Sequence, residues 1–337
     1  MLKMETISAI KTTSDLNFND FFGAMKARWA INRNNYKVAP GLYSLGNPDK
    51  NSTVFVTANY KLSFDTLRKN LSELDAWILV LDTKGVNVWC AAGKGTFGTE
   101  ELISKIESTN LADVVNHKKL ILPQLGAVGV AAHEIKSRTG FNVKYGPVEA
   151  KDIKKFISNN FRSDSQMRTV EFKTFQRLKL TPVELVGGLT HFLLFVASFI
   201  ILSGINKSGY SLDFAFEKGL RSALFITIGY LSGTIICPLL IPIFPFRHFS
   251  LNGILLGLIT TTTTIFLGFN DMALFEKIGW MLMIPAINAY AFLNFTGCTT
   301  FTSLSGVLKE MKTFIPIIII IFAIGFISWI ISNFWIL

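Results

Sequence analysis

The charged half of the chain holds one cysteine, Cys90, in the run NVWCAAGK (87–94). Ala91, Ala92 and Gly93 follow it, so thin neighbours predict an accessible sulfur; a buried structural thiol is the alternative. A thiolate serves as a nucleophile when a base takes its proton, or as a metal ligand. Only His117 and His133, of four histidines, fall in this half, and nothing local pairs either with Cys90. Cys237 and Cys298 lie in or beside hydrophobic runs as small apolar packers. Three cysteines without CxxC spacing disfavour zinc, iron–sulfur and disulfide frameworks. A soft thiolate suits a soft late transition metal, and a metal that arrives inside a macrocycle needs no second protein ligand. The phosphate-loop pattern fails here, because it puts Gly where Val88 stands and Ser or Thr where Gly95 stands. LPQLGAVGVAAHEI (122–135) carries Gly126 and Gly129 as half of a dinucleotide fingerprint; a strand, a glycine turn and a helix start there offer a place for a ligand's polar tail.

These residues need elements to position them. Ser52–Ala58 and Ala76–Asp82 read as strands, the second extended past Gly85 by Val86–Trp89. Helical spacing runs over 65–74, 99–108, 127–138 and 148–159, with Thr99 as N-cap of the second of these. Short strands are expected at 120–123 and 141–145. Strands alternating with helices predict a parallel α/β sheet over residues 40–162, after a polar lead-in at 1–39. Residues 163–181 form a charged linker. Residues 1–30 lack an apolar core long enough for a secretory signal peptide.

The 337 residues have a formal net charge of +10, and mean hydropathy is +0.41. Residues 181–337 carry only Lys207, Lys218, Arg221, Arg247, Lys277, Lys309 and Lys312 as cations. The positive excess of the first half fits anionic headgroups, an acidic partner, a phosphate-bearing ligand or a solvated surface. Five apolar stretches, about 183–205, 220–243, 250–269, 278–298 and 314–336, are each long enough to span a bilayer. Thr260–Thr264 is expected to bond back to helix carbonyls, and His191, the one histidine inside a span, to a neighbouring helix. Lys173, Arg177, Lys179, Arg247, Lys309 and Lys312 fall on one side, which favours an N-terminal domain in the cytoplasm and a multi-pass place in the inner membrane.

NVWCAAGK resembles the signature of the corrinoid protein family of microbial mercury methylation, the HgcA family. GLYSLGNPDKNSTVFVTANYKLSFD (41–65), LDTKGVNVWCAAGKGTFGTEEL (81–102) and LPQLGAVGVAAHEIK (122–136) are similar to the cobamide-binding domain of the corrinoid iron–sulfur protein of the acetyl-CoA pathway, where the Cys90 position is not cysteine. The five-span region, with NFTGCTTFTSLSGVLKEM (294–311), resembles the same mercury-methylating family, except that Cys298 stands where Ser is usual.

The resemblance implies a Rossmann-like corrinoid-binding α/β domain followed by an all-α transmembrane domain of five helices. It implies cobalamin bound base-off, with Cys90 as lower axial ligand to cobalt on a cap helix spanning Asn87 to Lys94. Asn87 and Trp89 would brace that helix, Val88, Ala91 and Ala92 complete it, Gly93 would admit the corrin and Lys94 steady its rim. Thr57, Asn59 and Tyr60 would border the corrin. Gly126, Val128, Gly129 and Ala131 would receive the nucleotide tail. Packing alternatives stand beside these: Asn59 as a turn former, Tyr60 as core, the glycines as a helix-packing turn. The implied activity is methyl transfer to Hg(II). The implied partners are a ferredoxin-like 4Fe–4S protein of the HgcB type, a methyltetrahydrofolate-linked methyltransferase and the lipid bilayer, with no nucleic acid. A corrinoid protein with another methyl acceptor, and a thiol-based membrane sensor, are the competing readings.

Overall fold

Val54–Ala58 and Ala76–Leu81 are apolar, partly β-branched runs buried along their whole length, the pattern of strands covered on both faces. The computed structural model describes residues 9–295 and 301–335 and divides the chain into two units, with the main boundary between Glu171 and Phe172.

The first unit is built in chain order from β1 (Ile10–Thr12), α1 (Phe18–Arg28), β2 (Gly41–Leu45), β3 (Val54–Ala58), α2 (Lys61–Asn70), β4 (Ala76–Leu81), α3 (Val88–Gly93), α4 (Thr99–Ser108), α5 (Leu111–Val114), β5 (Lys119–Leu122), α6 (Ala132–Thr139), β6 (Asn142–Tyr145) and α7 (Ile153–Ser158). The strands lie in the order β1-β2-β4-β3-β5-β6. All neighbours are parallel except β2 and β4, which pair antiparallel from Gly41 opposite Val80 to Leu45 opposite Ala76. The sheet is therefore mostly parallel and doubly wound. The connection from β3 leads to β4 on one side, and the next crosses back to β5 on the other. That reversal places a topological switch point at the carboxyl ends of β3 and β5, where open α/β sheets take their ligands.

Alternate strand residues feed two cores. Val54, Val56, Leu79, Leu81, Leu120 and Leu122 pack with Ala91, Leu102, Ile106 and Ile135. Phe55, Ile78, Val80 and Ile121 pack with Phe64, Leu67, Leu71, Ile153 and Phe156 on the other face. Each fully buried aliphatic or phenyl group contributes roughly 1.5–3 kcal/mol. Residues 10–12 and 18–27 of the lead-in belong to this unit, where Arg68 bonds the carbonyls of Thr13 and Asp15 and the carboxylate of Asp20. Lys61 and Asp65 complete the network. Burial opposes ionisation of Asp20, but hydrogen bonds from Lys61, the Asn17 amide and Arg68 outweigh it and hold its pKa at about 2.

Several boundaries differ from the sequence expectations. The helix expected at 65–74 starts at Lys61 and ends before Glu73, whose φ of +68° breaks it. Val86–Trp89 does not extend β4. Lys84 (φ +59°) and Gly85 (φ +75°) reverse the chain, and Asn87 then caps α3. Thr99 is the first residue of α4 rather than its cap, and its hydroxyl accepts from the Ala131 amide. The helix expected from Ala127 begins at Ala132, the preceding residues being turns. The short strands β1 and β2 carry no strong alternation and are not visible in the sequence pattern.

The second unit is helical: α8 (Thr174–Leu178), α9 (Thr181–Gly187), α10 (Leu189–Ser203), a two-residue hairpin of β7 (Ile205–Asn206) and β8 (Gly209–Tyr210), α11 (Leu212–Leu231), a π-helical turn (Ser232–Ile236), α12 (Cys237–Leu240), α13 (Phe249–Gly268), α14 (Leu274–Phe295) and α15 (Leu304–Phe334). Among the described residues four helical stretches are long and apolar enough to cross a membrane, or five if the pair Thr174–Gly187 and Leu189–Ser203, bent by 53°, counts as one. The first expected span is thus broken at Gly187–Gly188. The last begins ten residues earlier than the expected 314, where Ser303 caps α15 at the Gly306 amide. Cys298 lies outside the described residues. Gly279 and Gly325 sit where α14 and α15 touch; a Cβ on either would lie within 3.0 Å of the other helix. The threonine run bonds back as expected, Thr261 to the Gly257 carbonyl at 2.7 Å and Thr264 to that of Thr260 at 2.8 Å. Lys218 and Arg221 on α11 face Glu276 on α14 at 3.8 and 3.5 Å. Among the described residues no hydrogen bond joins His191 to a neighbouring helix; it lines a cavity of about 630 Å³ with Glu184, Tyr230 and Tyr290.

Candidate functional site

Cys90 stands on α3, a helix of six residues held by its flanks. Asn87 accepts the Cys90 amide at 2.9 Å through its side-chain oxygen, the expected role of an N-cap. Upstream, Thr83 donates its hydroxyl to the Val86 carbonyl at 2.6 Å. Asn59, 2% exposed at the end of β3, ties this turn to the sheet. Its oxygen accepts from the Thr83 amide (3.1 Å), the Thr83 hydroxyl (2.9 Å) and the Gly85 amide (2.9 Å), and its nitrogen donates to Asp82 (3.0 Å). The Lys84 ammonium beside Asp82 holds that carboxyl below its ordinary range. Downstream, Gly95 takes φ +80°, and the amides of Thr96 and Phe97 both return to the Ala91 carbonyl.

The two sides of α3 differ. Val88, Ala91 and Ala92 are buried, whereas Trp89, Cys90, Gly93 and Lys94 are exposed. Space beside the thiol is open: a Cβ added at Gly93 or Gly95 would meet nothing within 4 Å. At the other end of α3, Asn87, Val88 and Trp89 roof a cavity of about 400 Å³ with Thr57, Leu122, Pro123 and Gly146. These last residues end or follow β3, β5 and β6, so the cavity occupies the switch point of the sheet, and its volume is that of a small-molecule pocket.

The remaining expected residues are placed differently. Tyr60 is buried as N-cap of α2, with the Arg33 guanidinium 5.6 Å from its ring centroid. Gly126 and Gly129 do not face open space: an added Cβ would lie 2.6 Å from the Phe97 ring and 2.2 Å from the Phe97 carbonyl oxygen, respectively. Gly129 also lies against Ala92, so this loop packs on α3 and supports it. Val128 projects from it, 78% exposed. Ala131 caps α6. Sequence reasoning missed Pro123 and Gly146 in the cavity wall; their signal is position, directly after strands that meet at the switch point. His117 is bonded to the Ser52 carbonyl and the Lys119 amide, and His133 is exposed beside Glu134; among the described residues neither is hydrogen-bonded to Cys90. Among the described residues no three His, Cys, Asp or Glu side chains converge as metal ligands. The site can therefore offer one sulfur to a metal whose other ligands come with it.

Comparison with known proteins locates this geometry. A family model for the CO dehydrogenase/acetyl-CoA synthase delta subunit matches residues 26–157, which include α3 and the cavity. The Moorella thermoacetica corrinoid/iron–sulfur protein large subunit is 30% identical over 129 residues, 38% of this chain and 28% of that protein. The α/β unit is a corrinoid-protein-like domain. Gamma subunits of the acetyl-CoA decarbonylase/synthase complex are also similar: that of Methanocaldococcus jannaschii is 36% identical over 126 residues (37% of this chain, 25% of the relative), and that of Methanopyrus kandleri 33% over 123 residues (36% and 26%). The chain thus spans about a quarter of the length of these relatives, and the residues matched by the family model lie in the α/β part of the chain.

Proposed function

We propose that the α/β unit binds a cobamide base-off, that Cys90 supplies the lower axial thiolate to cobalt, and that the protein transfers a methyl group to Hg(II). The observation that carries this is Cys90: an exposed thiol on a fixed helix, beside open space, with no companion ligands among the described residues. A metal held in a macrocycle is the partner such a thiol fits.

The residues present fit that group. Cys90 and the bare strip at Gly93 and Gly95 leave room for a broad planar ring, with the apolar edges of Trp89 and Val128 also exposed. Lys94 would meet its polar rim, and the cavity of about 400 Å³ under Asn87 and Trp89 offers a place for the displaced base arm. Cobalt in such a ring supplies the methyl-carrying chemistry. Cys90, as thiolate, gives charge to the metal from the protein side. Hg(II) is an electrophile, so a methyl group delivered to it must bring electron density. An anionic sulfur raises that density more than water or imidazole does, the same lever by which axial ligands tune haem. Asn59, Asn87 and Gly129 act through the backbone of α3 to fix where the sulfur stands.

The chain has three cysteines, too few for a 4Fe–4S cluster, so reducing electrons come from a separate ferredoxin-like protein, and the methyl group from a methyltetrahydrofolate-linked methyltransferase. The second unit anchors the protein in the inner membrane, with the α/β unit on the cytoplasmic side favoured by Arg247, Lys309 and Lys312. The test is cobalt X-ray absorption on the cobalamin-reconstituted full chain, together with methylmercury assay. Sulfur in the first shell is expected, lost with methylation in Cys90→Ala; unchanged methylation in that variant overturns the mechanism. The relatives' membership of acetyl-CoA complexes favours a second reading, another methyl acceptor, which the same assay with alternative acceptors decides.

A further inference from the structure

We infer that α1 is an interfacial helix that lies on an anionic lipid surface, an inference that rests on the membrane-spanning reading of the second unit. At about 100° per residue, Phe18, Phe21, Phe22 and Met25 form one stripe. All four are exposed, Phe18 by 78%. The opposite side carries Asp20 and Ala27, both buried. Asp20 is paired there with Lys61 and, at 2.7 Å, with Arg68. The helix turns its carboxylate inward and its rings outward, the reverse of a helix whose apolar side fills a core.

The charges around the stripe complement a bilayer. Lys26 and Arg28 stand on its two shoulders, Lys26 Nζ 5.0 Å from the Phe22 ring centroid. Residues 9–40 hold Lys11, Lys26, Arg28, Arg33 and Lys37 against Asp15 and the buried Asp20. An aromatic stripe flanked by cations buries its rings at the boundary of headgroups and acyl chains while the long basic side chains reach back to the phosphates. The occupant is a bilayer because the same chain carries helices long and apolar enough to cross one, and covalent attachment keeps that surface at high effective concentration.

The test uses the full chain in nanodiscs of zwitterionic lipid, with or without phosphatidylserine. A nitroxide is placed at Met25→Cys in a Cys90→Ser, Cys298→Ser background, with a second label at Asn51→Cys on an exposed loop as reference. Oxygen should reach the Met25 label better than a water-soluble nickel chelate does, more so with phosphatidylserine, and Phe21→Glu with Phe22→Glu should abolish the difference. The Asn51 label should favour the chelate throughout. A chain stripped from membranes by alkaline carbonate refutes the spanning reading. A chain that stays integrated while the Met25 label behaves like the Asn51 label, or is shielded from both reagents as under a protein partner, overturns the inference about α1 alone.

Discussion

Replacing Asn59 with Ala should loosen Cys90 without touching it. The substitution removes the acceptor of two backbone amides, Thr83 and Gly85, and of one hydroxyl. The hydroxyl keeps its bond to Val86, so it adds little. The Thr83 amide keeps the Leu81 carbonyl at 3.1 Å, so only the Gly85 amide is left without a partner, at a cost of about 1–3 kcal/mol. Lys84 beside it is largely exposed, so water reaches part of the turn and the expected loss is about 1–2 kcal/mol. Hydrogen exchange of residues 54–97 in the full chain measures it as a local opening free energy. Asn59→Asp sharpens the test. The carboxylate retains the acceptor but faces Asp82, which Asn59 meets at 3.0 Å. Like charge raises the pKa of such a pair in the folded state, so this variant should be most stable below about pH 4 and lose stability as pH rises through the raised value. A loss under about 0.5 kcal/mol in Asn59→Ala, the size of an ordinary surface change, together with unaltered thiol reactivity at Cys90, refutes the positioning role.

Gly93→Ala separates fold from ligand. It should leave stability unchanged or raise it by up to about 1 kcal/mol, since Ala is the better helix former, yet weaken cobamide binding about tenfold, read by equilibrium titration of the corrin absorbance. Gly129→Ala should do the opposite to the fold: its Cβ would lie 2.2 Å from the Phe97 carbonyl and 3.1 Å from Ala92 Cα, both backbone, at a cost of about 1–3 kcal/mol in denaturant unfolding. Acid should release α1 from α2. Asp20 is held at about 2 against an ordinary 3.8, a difference worth about 2.5 kcal/mol at 1.36 kcal/mol per unit. Because the folded value is depressed, that stability is present above pH 3.8 and disappears as pH falls toward 2; amide exchange over residues 18–28 should follow it, and Asp20→Asn should remove the dependence.

The fully buried strands β3 and β4 were legible as apolar runs, and α4 through its spacing, because a pattern with a strong period needs no tertiary context. The antiparallel β2 was not, since GLYSL has neither alternation nor a long apolar run and is made a strand by pairing with β4. The β-forming residues Val86–Trp89 read as a strand extension, while the left-handed turn at Lys84 and Gly85 decides otherwise. Within the site, Cys90 stood out by chemistry. Asn59 and Gly129 stood out only by motif, and their hydrogen bonds and close approaches depend on partners far along the chain. The cavity wall at Pro123 and Gly146 exists only once β5 and β6 are placed side by side.

A helix of six residues has no independent existence in water, where even runs of about 12–15 residues are marginal. The rigidity of α3 is borrowed from Asn87 before it, Ala91 and Ala92 beneath it and Gly129 beside it. A donor on a slack loop would drift to meet whatever bound it. Here the mount is braced, so a partner that bonds the Cys90 sulfur must come to where the helix holds it.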